Sequence, residues 1–264
     1  MPVIDDIRKE QEKTKDMSLN GKLAYFWYYY KVHTIAAIMI ITFLCVLIRD
    51  IRASKDYGFY AAYFNAEQTF SAEEQMEAFA KYADIDTEKY NVYLDSDMYY
   101  SLSDMSETSY AASQKFTAML YSGDVDVVVA DEETFTTYSL SETFRDLRTV
   151  LPEDLLEKYK DCFFYIDGDA IEAFNSEEIY LSAGEDTSYY DEIMKSVENP
   201  KDPSTMGNPI PVGIYVADTP VITNAGCYQG DFIPVFGIVH NTEKPETAIK
   251  YLRFLDEEEA VTPN

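Results

Sequence analysis

Histidine is almost missing from this chain of 264 residues, which carries only His33 and His240. With one histidine beyond the long apolar run near the start, and no Gly-x-Ser-x-Gly pattern, the sequence offers no nucleophile paired with a base. His240 reads as a strand-end surface or capping residue. Cysteine is nearly as scarce: Cys45 lies in the apolar run, and Cys162 and Cys227 either bridge or stand as two free thiols, with no catalytic signature in either case. Bases are outnumbered, 21 Lys and Arg against 48 Asp and Glu, giving a formal charge of −27. So acidic a chain is repelled by nucleic-acid phosphate, which excludes a nucleic-acid partner. The acidic spots Asp95, Ser96, Asp97 and Asp124, Asp126 lack the glycine and terminal glutamate of a calcium loop, and read as solvated acids or caps, with weak divalent binding as the alternative. No cofactor, catalytic residue or metal ligand set is expected, and the chain reads as a non-enzyme.

What is present in quantity is apolar and aromatic. The run 35–48 is unbroken by charge and is entered through the cluster 25–30, which holds Tyr25, Trp27, Tyr28, Tyr29 and Tyr30; Arg49 closes it. Together they approach the roughly 20 residues that a bilayer span needs, and Tyr and Trp suit the headgroup level. A cleaved signal peptide has an apolar heart of similar length. The long mixed-charge leader and the absence of a small-x-small site after the run favour a resident anchor. Six of the 21 bases precede the run, as do five of the 48 acids, Asp5, Asp6, Glu10, Glu12 and Asp16; this leaves 43 acids against 15 bases beyond it. The basic flank predicts a cytoplasmic N-terminus and an extracellular remainder at the cell membrane, crossed once. The organisation expected is a cytosolic tail at 1–21, collar and transmembrane helix at 22–49, a linker at 50–56 and an α/β domain at 57–264.

In that domain strand-like and helical patterns alternate. Residues 57–64 form a short aromatic run. Ser71 and Glu74 make a capping box ahead of Met76, Phe79, Ala80 and Ala83 at helical spacing. A strand at 90–94, a helix at 107–121 and a β-branched strand at 125–130 follow, which predicts a parallel sheet covered on both faces. Polar residues stand after each strand: Asn65, then Asp95 and Ser96, then Asp131. Ligands of open α/β sheets bind in the crevice beyond such strand ends, so these residues, with Tyr99 as a stacking surface and Asp218 facing them, are the candidate ligand site. Tyr100, Tyr189, Tyr190 and Tyr215 are further stacking candidates. Farther on, Pro152 opens a helix, Asp167 and Gly168 suggest a hairpin turn between 162–166 and 170–174, and 183–211 reads as a loose loop. Strands at 211–216 and 232–239 precede a last helix with Ile249, Leu252, Phe254 and Leu255 on its buried side.

The passage from Leu120 through Gly123, Asp124 and Asp126 to Asp131, the segment Phe144 to Leu147 before Leu151 and Pro152, and the stretch from Phe236 to Asn241 ahead of 244–252 resemble the type II periplasmic-binding-protein fold of ABC-importer solute-binding subunits. The resemblance covers about 57–160 and 210–256. It implies a first lobe at 57–160 and 232–264 and a small second lobe at 161–231. The tethered form is similar to one-span membrane proteins of Gram-positive anaerobes. What the resemblance implies is an extracellular binding or accessory protein beside an ABC-type transporter, with a small solute as a possible ligand. The alternatives are a ligand-free interaction module of a membrane complex and, remotely, an extracellular hydrolase.

Overall fold

The computed structural model describes residues 18–53, 55–67, 70–101, 106–176, 193–195, 197–228, 230 and 232–258. The cytosolic-tail expectation for 1–17 and the tyrosines at 189 and 190 lie outside them. Two compact units divide the chain, one ending at Lys55 and the other beginning at Asp56.

The first unit is built on one helix, α1 (Leu19–Ala53). Its segment Tyr30–Arg49 has a mean hydropathy of 2.3 and is long and apolar enough to cross a membrane. Trp27, Tyr28 and Tyr30 are exposed on it, as are Ile38, Ile41, Phe43 and Leu47. Tyr25 and Arg49 are also on α1, and the side chain of Tyr29 is outside the described set. Collar and apolar run are one continuous helix. The helix continues past Arg49 to Ala53, so the first residues of the expected linker form its last turn.

The second unit is α/β. Its sheet has six strands in the order β2-β1-β3-β6-β5-β4: β1 (Tyr57–Phe64), β2 (Asn91–Met98), β3 (Val127–Asp131), β4 (Phe163–Asp167), β5 (Pro209–Tyr215) and β6 (Pro234–Ile238). β1 pairs in parallel with β2 and β3, as the alternation predicts. The remaining pairs, β3 with β6, β6 with β5 and β5 with β4, are antiparallel. The sheet is therefore mixed, which corrects the expectation of a parallel one. Nothing in a strand's own residues fixes its direction; the connection that returns the chain does. β4 and β5, from the stretch expected as a second lobe, belong to this same sheet.

Strand periodicity sends alternate residues to opposite faces. Phe59, Ala61 and Tyr63 of β1 join one core layer with Val127, Val129 and Phe236, under α2 (Ala72–Ala83) and α9 (Pro245–Phe254). Tyr60, Ala62 and Phe64 join the other with Val128, Ala130 and Val235, under α3 (Glu107–Ser122) and α4 (Glu132–Leu140). Both faces are covered, as the near-continuous apolar runs require. Caps set the helix starts: Ser71 Oγ accepts from the Glu74 N–H and Asp131 caps α4. Two short helices, α5 (Leu147–Val150) and α6 (Glu153–Tyr159), lead to β4. After β4 the chain enters α7 (Gly168–Phe174), with Asp167 as its N-cap. The expected hairpin at 167–168 is thus a strand-to-helix junction. α8 (Pro220–Ala225) lies between β5 and β6.

Candidate functional site

Asn65 follows β1 with φ 55, in the left-handed region that asparagine tolerates better than most residues. This conformation turns its side chain toward the end of β3. Its amide nitrogen donates to Asp131 Oδ2 at 2.7 Å and to the Tyr100 carbonyl at 2.8 Å. Its amide oxygen accepts from the Tyr100 N–H at 2.9 Å. Asp131, 7% exposed, also accepts from the Thr134 N–H at 3.0 Å and the Thr134 hydroxyl at 2.7 Å. Both expected residues are therefore brought together, Asn65 occupied by Asp131 and by the loop at Tyr100, and Asp131 by Asn65 and Thr134.

Asp95 is elsewhere. It sits inside β2, not beyond it, because the strand continues through Ser96 and Asp97 to Met98. Its side chain, 1% exposed, accepts from the Tyr60 hydroxyl at 2.9 Å and pairs with Lys115 of α3. Burial, followed by the hydrogen bond to the Asp95 carboxylate, pushes the Tyr60 phenol far above its ordinary range. Ser96 is half-buried on β2, Tyr99 is 45% exposed, and Asp218 is exposed in the turn after β5. Of the six candidate positions, hydrogen bonds join Asn65 to Asp131.

Two acids read from sequence as solvated have different fates. Asp124 accepts from the Ser122 hydroxyl at 2.5 Å on the surface. Asp126 is fully buried: it accepts from the Tyr60 N–H at 3.0 Å and the Thr242 hydroxyl, and meets Lys244 Nζ at 3.1 Å. That corrects its reading as a wet acid. Burial raises the Asp126 carboxyl above its usual range, against the pull of Thr242, Lys244 and the Tyr60 amide.

Sequence reasoning missed the partners. Lys115 had a signal, as the one base in the α3 sequence. Thr134 had another, standing three residues after an N-cap aspartate. Tyr215, a stacking candidate, donates its hydroxyl to Glu132 Oε2 at 2.7 Å and carries Lys201 Nζ 4.4 Å from its ring centre. Cys162 is exposed and Cys227 buried, and both are free thiols, which settles the question of a bridge. Burial pushes the Cys227 thiol up to about 12, the behaviour of an inert core cysteine. Among the described residues no three His, Cys, Asp or Glu side chains are grouped as a metal ion requires.

Three surface depressions lined by described residues lie away from the strand-end pair. The first, about 540 Å³, runs between α2 and β2. The second, about 390 Å³, joins the end of α3 to Val239 and His240. The third, about 680 Å³, lies beside Glu132 and Glu133. Neither Asn65, Asp131 nor Asp218 lines any of the three.

No protein-family description and no curated protein match this chain. Among solved structures it is similar to an ABC substrate-binding protein, Lmo0181 from Listeria monocytogenes, in complex with cycloalternan. The two share 14% identity over 78% of this chain and 77% of the other, with a TM-score of 0.34. At that score no residue role passes from one to the other.

Proposed function

We propose that this is a single-pass membrane protein whose α/β domain, on the extracellular side, acts as an interaction module of a membrane complex. The observation that carries the reading is the closure of the strand-end site. Asn65 and Asp131, the polar groups best placed to hold a solute, spend their hydrogen-bonding capacity on each other, on Tyr100 and on Thr134. A solute would have to break a buried set of bonds, each worth about 1 kcal/mol net and more when a charge takes part. A helix able to span a bilayer supports the tether, and the excess of 43 acids over 15 bases beyond the apolar run keeps the domain off anionic lipid headgroups.

The second reading, a solute-binding subunit beside an ABC-type transporter, is favoured by one observation: Asn65 and Asp131 stand at the carboxyl ends of adjacent parallel strands, where α/β proteins take ligands. Cell fractionation with protease protection tests the tether and its orientation. The full chain is expected in the membrane fraction after alkaline washing, with the α/β domain degraded by protease added to intact cells. Recovery of a shortened, freely soluble chain sinks the anchor.

A further inference from the structure

The depression of about 390 Å³ lies at the end of the sheet away from the strand-end pair. β6 is antiparallel to β3, with Ile238 against Val127 and Pro234 against Asp131. Val239 and His240, which line the depression, therefore follow β6 past the start of β3. Ligands of open α/β sheets gather beyond the carboxyl ends of strands. This depression stands beyond an amino end, and its chemistry has to be read from its own lining.

Two helices end at it. Leu120 and Tyr121 belong to the last turn of α3, and Tyr138 to the last turn of α4. The C-terminal end of a helix carries partial negative charge, and the lining adds one carboxylate, that of the exposed Glu142. No lysine or arginine lines the depression; nearby Arg145 donates its guanidinium to the Val239 and Thr242 carbonyls. The local field therefore favours a cation. Tyr121 is 88% exposed, and an aromatic ring beside such a field is a surface on which a cation stacks. Glu142 has φ 55, in the left-handed region where glycine rests without strain. A glutamate there lowers the stability of the fold, while supplying the only carboxylate of the lining.

We propose that this depression receives one arginine side chain of a partner protein, its guanidinium held by the Tyr121 ring and the Glu142 carboxylate. The chemistry settles the kind of occupant. A guanidinium is planar, stacks on aromatic faces and donates to a carboxylate through two parallel N–H groups, which a compact ammonium does not do. The volume falls at the low end of the roughly 300–1,000 Å³ of small-ligand pockets, which suits a single long side chain. A second copy of this chain, with its net charge of −27, is repelled. The exposed His240 and Asn241 border the opening, where the main chain on either side of the arginine passes. The inference rests on the interaction-module reading and names the group by which the partner is recognised.

The test uses the full chain in neutral detergent micelles and two capped, fluorescently labelled pentapeptides, Gly-Gly-Arg-Gly-Gly and its neutral citrulline counterpart. Anisotropy is expected to show saturable binding of the arginine peptide and about tenfold weaker binding of the citrulline one. Tyr121→Ala removes no charge and Glu142→Gln removes one of 48 acids; each is expected to weaken arginine binding about fivefold with an unchanged circular dichroism spectrum. Glu142→Gly is expected to raise the thermal midpoint by about 2 °C while weakening the peptide as Glu142→Gln does. Equal binding of the two peptides, or no binding of the arginine peptide, overturns the site. Indifference to Tyr121→Ala and Glu142→Gln means general attraction to an acidic surface and also overturns it. Methylguanidinium that competes as well as the unlabelled arginine peptide would make this a site for a small cation and overturn the protein partner. The interaction-module reading falls instead to a neutral solute that stabilises the domain, so the two failures are told apart.

Discussion

Asp126 and Asp167 are buried carboxylates that titrate in opposite directions, and the difference lies in what faces them. Burial by itself would raise the Asp167 carboxyl; three backbone N–H groups, from Gly207, Asn208 and Asp169, outweigh it and hold the group below the usual carboxylate range. A carboxyl lowered in the fold stabilises above its unfolded value near 4, and that stability is lost as pH falls through the folded value. Urea midpoints of the full chain in micelles should therefore show an advantage over Asp167→Asn at pH 7 that shrinks below about pH 4. An advantage that holds steady into acid would contradict the hydrogen-bond account. For Asp126 the sign reverses: a raised carboxyl favours the protonated fold, and its contribution declines as pH climbs from the unfolded value through the folded one. Asp126→Ala strips partners from the Tyr60 N–H and the Thr242 hydroxyl and is expected to cost about 2–4 kcal/mol in chemical denaturation. Asp126→Asn keeps an acceptor and leaves Lys244, 28% exposed, within reach of water, so a cost under about 1 kcal/mol is expected. Equal losses in the two variants would show that the charge, not the hydrogen bonds, holds this corner.

At the scale of elements, sequence and structure agree wherever a local signal was unopposed. β1 occupies 57–64 as its aromatic run indicates, and α2 starts after Ser71 and buries Met76, Phe79, Ala80 and Ala83. The strand-end pair Asn65 and Asp131 was legible because both residues follow strong strand patterns. Their closure was not, because it depends on contacts across separate loops. The junction at 167–168 misled because aspartate serves both a hairpin turn and a helix N-cap. Gly168 is needed there for room, not for positive φ: an added Cβ would come within 2.3 Å of the Asn208 amide and 3.1 Å of Ile210. The same logic applies under α4. Phe135 stacks on Phe144 at 4.1 Å between centroids, and a Cβ on Gly213 or Gly237 would lie 2.7 Å from the Phe135 ring. Gly237→Ala is expected to cost about 1–3 kcal/mol by overpacking, and pairing it with Phe135→Leu should recover part of that loss. Thermal denaturation of the two variants reads the difference, and two independent, additive losses would refute the packing argument.

For the whole molecule, a helix fit for a bilayer is joined to an acidic α/β domain whose strand-end groups Asn65 and Asp131 are already paired. On the proposed reading a resident anchor would hold that domain at the membrane, among other membrane proteins, which would make the apolar helix part of the function rather than an address alone. Ile40→Arg, placed inside the Tyr30–Arg49 segment, should lower membrane insertion by about 2.5–3.5 kcal/mol, read as a shift of the chain from membrane to soluble fractions. The central claim, that the domain serves contacts and not solute capture, is tested most directly by thermal unfolding of the full chain in micelles against millimolar sugars, amino acids and short uncharged peptides. A true ligand at a hundred times its dissociation constant adds about 2.7 kcal/mol, which for a domain of this size raises the midpoint by roughly 5–10 °C. No saturable rise is expected with any of them. A saturable rise of that size, abolished by Asp131→Ala, would contradict it and make the strand ends a solute site.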